Sequence, residues 1–351
     1  MFAKMKVLMV GPDRSVQGGI SGVVNNYYEA GLDKKIELKY IGTMVDGSKL
    51  RKLLKAMESY VKFLFSVNKY DIVHVNMAAD ASYYRKLYFI YFAKLFRKKL
   101  IIHQHGGDVE NFFDKSVCGK KRKIRYQILN RADAFLVLAP IWKDFFSQIL
   151  PDDKIYVLPN GIEVPLYQVE HKDYSNHNIA FIGRICFDKG IQELFAAVQI
   201  LKKEYPDIHL YLGGKWEDDS LQIQQESAKD CISYLGWLDT EKKRELLEKC
   251  SIFAMPSYFE GQCIAVLEAM SYGCATIATR VGGLQQTFCD KQDGILIAPG
   301  NTEELVQVLQ YLLSHDSKKK EIGAAGRKKV ELQFDIQVIM NRLLDIYQMI
   351  E

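Results

Sequence analysis

The sequence predicts an α/β protein with two doubly wound, parallel-sheet domains that face one another. Twelve short, mostly apolar runs alternate with longer helical patterns along the 351 residues. Runs without polar alternation are typical of parallel strands that helices cover on both faces. A polar tract that ends in HKDYSNHN separates the sixth run from the seventh. The length suits two domains of about 100 to 200 residues each.

The predicted strands form two sets of six. Those of the first set are 7–10, 38–41, 72–75, 100–103, 134–138 and 155–158. Those of the second set are 179–183, 209–213, 231–236, 252–255, 275–278 and 295–298. We therefore place an amino-terminal domain at 1–165, a linker at 166–178, a carboxyl-terminal domain at 179–333 and a final helix at 334–351. Such sheets bind ligands at the carboxyl ends of their strands, so motifs at those ends are the candidate site residues.

Charge and composition exclude several classes of protein. Basic residues outnumber acidic ones by 27 to 16 up to Pro165, whereas the remainder has 20 basic and 27 acidic residues. Lys or Arg interrupts every long apolar stretch, and the amino terminus lacks the pattern of a secretory signal, so we expect a cytoplasmic protein. Seven cysteines without CxxC spacing argue against a disulfide framework and against a zinc site.

Adjacent glycines follow the first predicted strand. Gly18 and Gly19 lead into a helical pattern, and exposed backbone N–H groups at the start of a helix can bind a phosphate. The spacing is not GxGxxG, which disfavours a dinucleotide-dependent dehydrogenase. A flexible loop with a helix cap explains the same residues.

The fourth predicted strand ends in a polar loop that contains His103, His105 and Asp108. A single histidine is usually structural, but His105 and Asp108 lie where a ligand of the sheet would bind, which favours a function. No third ligand accompanies the histidines, and this argues against a metal site.

Two cations open the second domain. Arg184 follows its first strand, and Lys189 precedes the next helix. Both side chains can converge on one anion and, with a helix amino terminus, can neutralise a diphosphate leaving group without a metal. A solvated surface pair is the alternative.

The segment from Met255 to Gly273 contains two glutamates eight residues apart. Glu260 closes a strand-to-helix loop, and Glu268 lies inside an apolar helical pattern. Eight helical residues span about 12 Å, close to the reach from a nucleotide ribose to an attached sugar. Burial of Glu268 among apolar neighbours is costly unless sugar hydroxyls or an ion pair satisfy the carboxylate.

These motifs, in this order, resemble the GT-B retaining glycosyltransferases of family 4 over almost the whole chain. The resemblance implies two Rossmann-like domains, the first for the acceptor and the second for the nucleotide sugar, with a last helix that crosses back to the first. The sequence departs from the family at Gly261-Gln262-Cys263, where Gly-Phe-Gly is common, and at Gln285-Gln286, where a glutamate is usual. The sequence therefore does not predict which sugar is transferred. The segments that carry the resemblance are Gly18-Gly19, His105-Gly106, Pro159-Asn160-Gly161, Gly183-Arg184, Lys189-Gly190, 211–214, Leu235-Gly236, 260–268, 281–283 and 293–294.

The resemblance also implies roles for individual residues. Arg184 and Lys189 would bind the donor diphosphate, and Glu268 would hold the ribose hydroxyls. Glu260 would contact the transferred sugar, and His105 would lie near the anomeric carbon. Gly19 would offer its N–H to a phosphate or the acceptor, and the segment around Leu235 and Gly236 would border the nucleobase. The implied catalytic set is His105, Arg184, Lys189 and Glu260. The implied donor-binding set is Gly18, Gly19, Gly183, Arg184, Lys189, Leu235, Gly236, Glu260, Gly261, Gln262, Cys263, Ile264 and Glu268.

Two basic segments in the first half indicate a contact with an anionic surface. Segment 83–99 mixes seven aromatic with six basic residues, and segment 115–125 adds six cations. Each cation near an anionic leaflet contributes about 1 kcal/mol, although a core helix explains segment 83–99 at least as well. No nucleic-acid motif accompanies the charge. The predicted acceptor and membrane side consists of Asp108, Lys120, Lys121, Arg122 and Lys123.

The sequence thus predicts a retaining glycosyltransferase that needs no metal and no cofactor and acts in surface polysaccharide synthesis. Its expected partners are a nucleotide-sugar donor (a UDP-sugar), a saccharide or polyprenyl-diphosphate-linked saccharide acceptor, and the inner face of the plasma membrane. Two other classes stay open. A nucleotide-sugar epimerase of the same fold needs no acceptor, and a catalytically idle scaffold for polysaccharide assembly needs no donor.

Overall fold

The polypeptide forms two α/β units in a computed structural model that describes residues 5–106, 109–115, 119–167 and 169–351. The first unit contains the chain up to Glu163 together with Asp335–Glu351, and the second contains Val164–Phe334. Each unit has its own six-stranded sheet. The predicted fold class of two doubly wound parallel sheets is confirmed.

Every strand pair in the sheet of the first unit is parallel. Strands β1 to β6 are Lys6–Gly11, Glu37–Gly42, Ile72–Met77, Lys99–Gln104, Ala134–Val137 and Ile155–Val157. They lie in the order β2-β1-β3-β4-β5-β6, and β3 is buried at all six positions, as expected for a strand covered on both faces. The strand order reverses between β1 and β3, so their carboxyl ends flank the crevice where such sheets bind ligands.

Helices cover the first sheet and connect its strands. Helices α1 to α6 are Gly19–Glu29, Leu32–Lys35, Lys49–Ser66, Asp80–Leu95, Lys120–Leu129 and Pro140–Ser147. Helix α4 buries Tyr83, Phe89 and Ile90 and packs on β3 and β4, so most of segment 83–99 is a core helix. Ser48 caps α3 by accepting a hydrogen bond from the Arg51 backbone N–H, which satisfies one of the free donors at that helix end.

The second unit repeats this architecture. Strands β7 to β12 are Asn178–Ile182, His209–Gly213, Ile232–Tyr234, Ile252–Met255, Ala275–Thr279 and Ile295–Ile297. Their order is β12-β11-β10-β7-β8-β9, again with parallel pairs. All twelve predicted strands are therefore present. Here the order reverses between β7 and β10, so the loops after these two strands flank the expected crevice.

Helices α7 to α13 complete the second unit as Ile191–Leu201, Asp219–Ser227, Thr240–Lys249, Ile264–Ser271, Leu284–Thr287, Thr302–Leu313 and Asp316–Gln333. Asp218, Asp239 and Asn301 cap α8, α9 and α12 through their side-chain oxygens. Within the described ranges, no helix of either unit combines the length and the apolar character that crossing a bilayer requires.

The last helix, α14 (Ile336–Ile350), belongs to the first unit. Its apolar face buries Ile339, Met340 and Leu343. The Ile336 N–H donates to the Ile162 carbonyl oxygen at 2.8 Å, which fixes the start of the helix on the first unit. The predicted crossover helix is therefore confirmed.

Candidate functional site

The loops after β7 and β10 meet through an ion pair between Lys189 and Glu260. Lys189 ends a short helical turn before α7, and Glu260 lies in the loop between β10 and α10. Lys189 Nζ is 2.5 Å from Glu260 Oε1, and the two side chains are only 14% and 11% exposed. The buried hydroxyl of Ser257 donates to the same carboxylate oxygen at 3.1 Å. The sheet reversal thus brings two of the predicted catalytic residues together.

Electrostatics keep Lys189 protonated. Burial opposes the charged ammonium, but the adjacent Glu260 carboxylate outweighs burial, so the pKa of Lys189 is raised above its ordinary value. The guanidinium of Arg184 acts on the same ammonium and lowers its pKa in part. The two cations are therefore close enough to interact at this edge of the sheet.

Backbone contacts hold the two loops together. Gly190 has φ +68°, and a Cβ atom there would lie 2.0 Å from the Pro256 carbonyl oxygen. The Tyr258 N–H donates to the Asp188 carbonyl oxygen at 2.8 Å, and the Tyr258 hydroxyl donates to Glu193 at 2.6 Å. The hydrogen bond to Glu193, with burial, raises the pKa of Tyr258 to about 12. Backbone contacts of the two residues next to Lys189, Asp188 and Gly190, with the loop after β10 thus fix its position.

Arg184 has its own carboxylate partner. It follows β7, and its Nη1 lies 2.6 Å from Glu217 Oε2, with side-chain exposures of 55% and 37%. Burial opposes its charge, but Glu217 outweighs this and raises the pKa of Arg184. The sequence predicts that Arg184 and Lys189 converge on one anion. In the structure each cation instead pairs with a different carboxylate, and their binding roles stay predictions.

The environment of Glu268 differs from the expectation. Val266, Leu267, Ala269 and Met270 are fully buried, but Glu268 keeps 22% of its side chain exposed and lies 2.5 Å from Lys243 Nζ. Glu268 thus has an ion-pair partner, and its role in holding the donor ribose stays a prediction. The expected spacing of two helical turns is also wrong, because α10 begins at Ile264, four residues after Glu260.

The loop before α10 carries the other residues predicted to bind the donor. Gly261 and Gln262 are buried, and Cys263 is the amino-terminal cap of α10. Burial and the negative charge of Glu260 raise the pKa of the Cys263 thiol to about 12, so Cys263 is a neutral thiol at physiological pH and not a nucleophile. The first turn of α10 contains no acidic residue, which leaves its N–H groups suited to an anion.

Aromatic side chains surround the segment predicted to border the nucleobase. Leu235 and Trp237 are 41% and 49% exposed, and Gly236 between them has φ +75° with open space around it. The ring of Tyr234 lies 5.1 Å from that of Trp216. The buried Trp216 Nε1 has no hydrogen-bond partner among the residues that the structure describes.

The first unit has a glycine pair at the start of α1. Gly18 and Gly19 are exposed, and a Cβ on either would meet nothing within 4 Å. No side chain caps this helix, and its first turn contains no acidic residue. The backbone conformation does not require glycine here. The open space beside both residues is large enough for a ligand group to approach the backbone.

His105 is a neutral imidazole at the end of β4. Burial lowers its pKa to about 3. Its Nε2 lies 2.9 Å from Asn76 Oδ1, and because an amide oxygen only accepts hydrogen bonds, Nε2 carries the proton. The ring contacts that of His103 with a centroid distance of 3.9 Å and an angle of 37° between the ring planes. His103 in turn lies 5.4 Å from His74, whose Nδ1 is 2.7 Å from the Tyr347 hydroxyl of α14.

Of the remaining predicted residues, those that the structure describes lie on α5. Lys120, Arg122 and Lys123 are exposed on its first turns. Asp108 and the side chain of Lys121 lie outside the described residues. No group of three potential metal ligands occurs in the described part of the chain, and metal independence stays a prediction.

Sequence reasoning missed four residues that complete these clusters. Glu217 and Lys243 pair with predicted residues across 33 and 25 positions of sequence. Such separations leave no local pattern. Ser257 and Trp216 had a local signal, because each follows the end of a predicted strand.

Two family models match the chain. The model described as Glycosyltransferase Family 4 matches residues 33–165. The model described as Glycosyl transferases group 1 matches residues 168–329. The first match falls on the first unit and the second on the second unit.

Curated relatives are distant in sequence. An alpha-maltose-1-phosphate synthase from Mycolicibacterium smegmatis is 27% identical over 249 residues, which are 62% of this chain and 63% of the relative. A GDP-mannose:cellobiosyl-diphosphopolyprenol alpha-mannosyltransferase from Xanthomonas oryzae pv. oryzae is 22% identical over 298 residues, which are 81% of this chain and 75% of the relative. The chain spans less than two thirds of the length of the curated relatives that it matches first.

The fold has close counterparts among solved structures. Anabaena Alr3699/HepE in complex with UDP superposes with a TM-score of 0.77 at 17% identity, covering 98% of this chain and 100% of that chain. Identity this low establishes the fold alone. Together with the two family models, it shows that the chain belongs to the GT-B glycosyltransferases, with a family 4 amino-terminal domain and a group 1 carboxyl-terminal domain.

Proposed function

We propose that the chain is a retaining, metal-independent glycosyltransferase that transfers a sugar from a UDP-sugar to a lipid-linked saccharide during surface polysaccharide synthesis. The observation that carries this proposal is the cluster of Arg184, Lys189 and Glu260 where the second sheet reverses its order. Two relatives support the choice of substrates. The Anabaena structure contains UDP, and the name of the Xanthomonas enzyme specifies a diphosphopolyprenol acceptor.

The two cations suit different tasks on a diphosphate. Lys189 is almost buried and fixed by Glu260, so it supplies a permanent positive charge with little reorganisation. Arg184 is half exposed and pairs with Glu217 in a more solvated position. A guanidinium can exchange a carboxylate for a phosphate because both accept two parallel hydrogen bonds. Arg184 is therefore the cation that moves onto the donor.

Glu260 is placed to orient the transferred sugar. Lys189 and Ser257 hold one of its oxygens, and an ionised carboxylate offers several acceptor sites for sugar hydroxyls. In the proposed reaction the bond from the anomeric carbon to the diphosphate oxygen breaks, and the acceptor oxygen bonds on the same face. The acceptor proton passes to the departing phosphate. No covalent intermediate with the protein forms, and the cations stabilise the leaving group.

The test begins with donor binding. Thermal shifts of the purified chain with UDP-, GDP- and ADP-sugars identify the nucleotide, and we expect the largest shift with a UDP-sugar. Transfer is then measured with and without a chelator, and the anomeric configuration of the product is read by NMR. Retained activity in the chelator and retention of configuration support the proposal. Inversion or a strict need for a divalent ion overturns it.

The Arg184→Ala variant tests the site itself. Loss of a charge-assisted contact to the diphosphate is worth about 1.5 to 3 kcal/mol, which corresponds to a donor affinity about 10- to 100-fold weaker. Arg280→Ala is the matched control, since Arg280 is a similarly exposed guanidinium that pairs with Asp290 and Glu304. Equal donor affinity in both variants would exclude Arg184 from the site.

Two outcomes favour the other classes. An isomerised sugar after incubation of donor alone identifies an epimerase. No affinity for any nucleotide sugar identifies a scaffold.

A further inference from the structure

Helix α3 (Lys49–Ser66) has apolar side chains on two opposite sides. Its inner side buries Ala56, Ser59 and Phe63, and the Tyr60 ring contacts that of Tyr88 of α4 with a centroid distance of 4.2 Å. On the other side, large apolar side chains stand in solvent with exposures from 37% to 81%. We call this set the outer face of α3. It consists of Leu50, Leu53, Leu54, Met57, Val61, Leu64 and Phe65.

The outer face is one continuous stripe. At 100° per residue, its seven positions fall within about 120° of the helix circumference. The helix has 18 residues and is therefore about 27 Å long. Single exposed apolar residues are ordinary, but a contiguous apolar stripe of this size on a soluble surface marks an interaction site.

Positive charge borders the outer face. The helix contains five basic residues and one acidic residue, Glu58. Lys55 and Lys62 on its flank line a cleft of about 490 Å³ together with Arg14 and Lys39. The cleft also contains Asp13, which pairs with Lys55 at 3.2 Å, and Glu58 pairs with both lysines. The balance is still strongly positive, so the occupant of this face is an anion or carries anions.

We propose that the outer face of α3 docks on an anionic lipid bilayer as an interfacial helix. Apolar side chains on one side and cations along the flank are the two features that such helices combine. Phe65, with 81% exposure, and its apolar neighbours would enter the boundary between headgroups and acyl chains. The flanking lysines and arginines would meet lipid phosphates. This surface goes beyond the proposed transfer reaction, because docking requires neither donor nor acceptor.

Charge argues against a second copy of the chain as the occupant. A symmetric contact between two outer faces would bring the cations at the edges of each face, such as Lys49 and Arg51, towards one another, with one glutamate per helix to compensate. Like charges in such proximity are unfavourable. An anionic bilayer supplies the complementary charge at every point along the stripe.

Vesicle co-sedimentation of the full chain tests this proposal. We expect binding to phosphatidylglycerol-containing vesicles and little binding to pure phosphatidylcholine vesicles. The Leu54→Gln/Met57→Gln variant should bind at least about tenfold more weakly, because two insertable apolar side chains are lost without a change in charge. The Lys49→Gln/Arg51→Gln variant, which removes one exposed cation on each edge of the outer face, should lose about fivefold per removed cation.

A matched control separates the outer face from general surface hydrophobicity. Ile223→Gln/Leu332→Gln removes two apolar side chains that are 69% and 64% exposed on other helices, and it should bind vesicles like the parent chain. Circular dichroism melts confirm that each variant is folded. Absence of parent-chain binding to anionic vesicles, or equal binding by Leu54→Gln/Met57→Gln, overturns the proposal. A parent dimer that this variant converts to a monomer, without vesicle binding, assigns the face to a second copy.

Discussion

The Lys189 ammonium lies 2.5 Å from Glu260 Oε1 and joins the loops after β7 and β10, the two strands between which the second sheet reverses its order. Both side chains are mostly buried. Removal of one partner from a buried pair leaves an uncompensated charge, which typically costs about 3 to 5 kcal/mol. The pair therefore stabilises the candidate site as well as supplying its charges.

The first prediction separates these two contributions. We expect Lys189→Met to lower the free energy of unfolding by about 3 kcal/mol, since Glu260 is left without its cation. The double variant Lys189→Met/Glu260→Gln should recover at least about 1 kcal/mol of this loss. Urea unfolding monitored by circular dichroism measures both values. Lys318→Met is the control, because its ion pair with Glu321 is largely exposed and such pairs contribute little to stability. Equal losses for Lys189→Met and the control would contradict the prediction.

The second prediction concerns Glu268, which pairs with Lys243 at 2.5 Å. If Glu268 binds the donor ribose, Glu268→Gln weakens donor affinity about tenfold, while Lys243→Ala changes it by less than about threefold, because only the former alters the group that accepts the ribose hydroxyls. Isothermal titration with the nucleotide sugar that gives the largest thermal shift compares the two variants. If neither variant changes affinity, the carboxylate is a structural partner of Lys243 and has no role in donor binding.

Much of this fold could be predicted from local sequence, because parallel strands buried on both faces leave uninterrupted apolar runs such as 72–75 and 252–255. The Lys189–Glu260 cluster could be predicted for a related reason. Both residues follow strand ends, and the topology brings strand ends together. Ion-pair partners that lie far apart along the chain could not be predicted from the sequence. Lys243 and Glu217 lie on other elements, and nothing in the pattern around Glu268 or Arg184 indicates which cation or carboxylate will face it.

The outer face of α3 shows a different limit of prediction from sequence. Segment 49–66 has apolar residues at helical spacing on both sides, and the pattern alone does not say which side packs on the sheet. The aromatic segment 83–99 is the more conspicuous one in sequence, yet α4 buries Tyr83, Phe89 and Ile90. Only tertiary packing distinguishes an apolar face that is covered from one that is exposed.

The third prediction compares two glycines with positive φ. Gly190 has φ +68° and would place a Cβ 2.0 Å from the Pro256 carbonyl oxygen, whereas Gly236 has φ +75° and open space. Gly236→Ala should cost only the left-handed backbone strain of about 1 to 2 kcal/mol. Gly190→Ala should cost clearly more, because the loops after β7 and β10 must separate. Thermal unfolding of the two variants measures the difference. Equal destabilisation would show that the two loops tolerate separation.

The fourth prediction is an acid sensitivity that originates in the neighbouring imidazoles of His74, His103 and His105 in the first unit. Burial lowers the pKa of His74 and of His105 to about 3, and it lowers that of His103 as well. A histidine with a lowered folded-state pKa takes up its proton on unfolding, so stability is full above the unfolded pKa of about 6.5 and falls as the pH decreases below it. From pH 7 to pH 5, His74 and His105 should each contribute a loss of about 2 kcal/mol.

Urea unfolding between pH 7 and pH 5 checks this dependence. His105→Gln should reduce the pH slope by about one proton. His105 is chosen because it follows the last residue of β4, whereas His74 and His103 are fully buried within strands β3 and β4. The parent chain should also show no change in the His105 imidazole resonances over this range, since the ring stays neutral in the folded state. An unchanged slope in His105→Gln, or a His105 resonance that titrates near pH 6.5, would show that the ring is solvated and that its contact with His103 does not persist in solution.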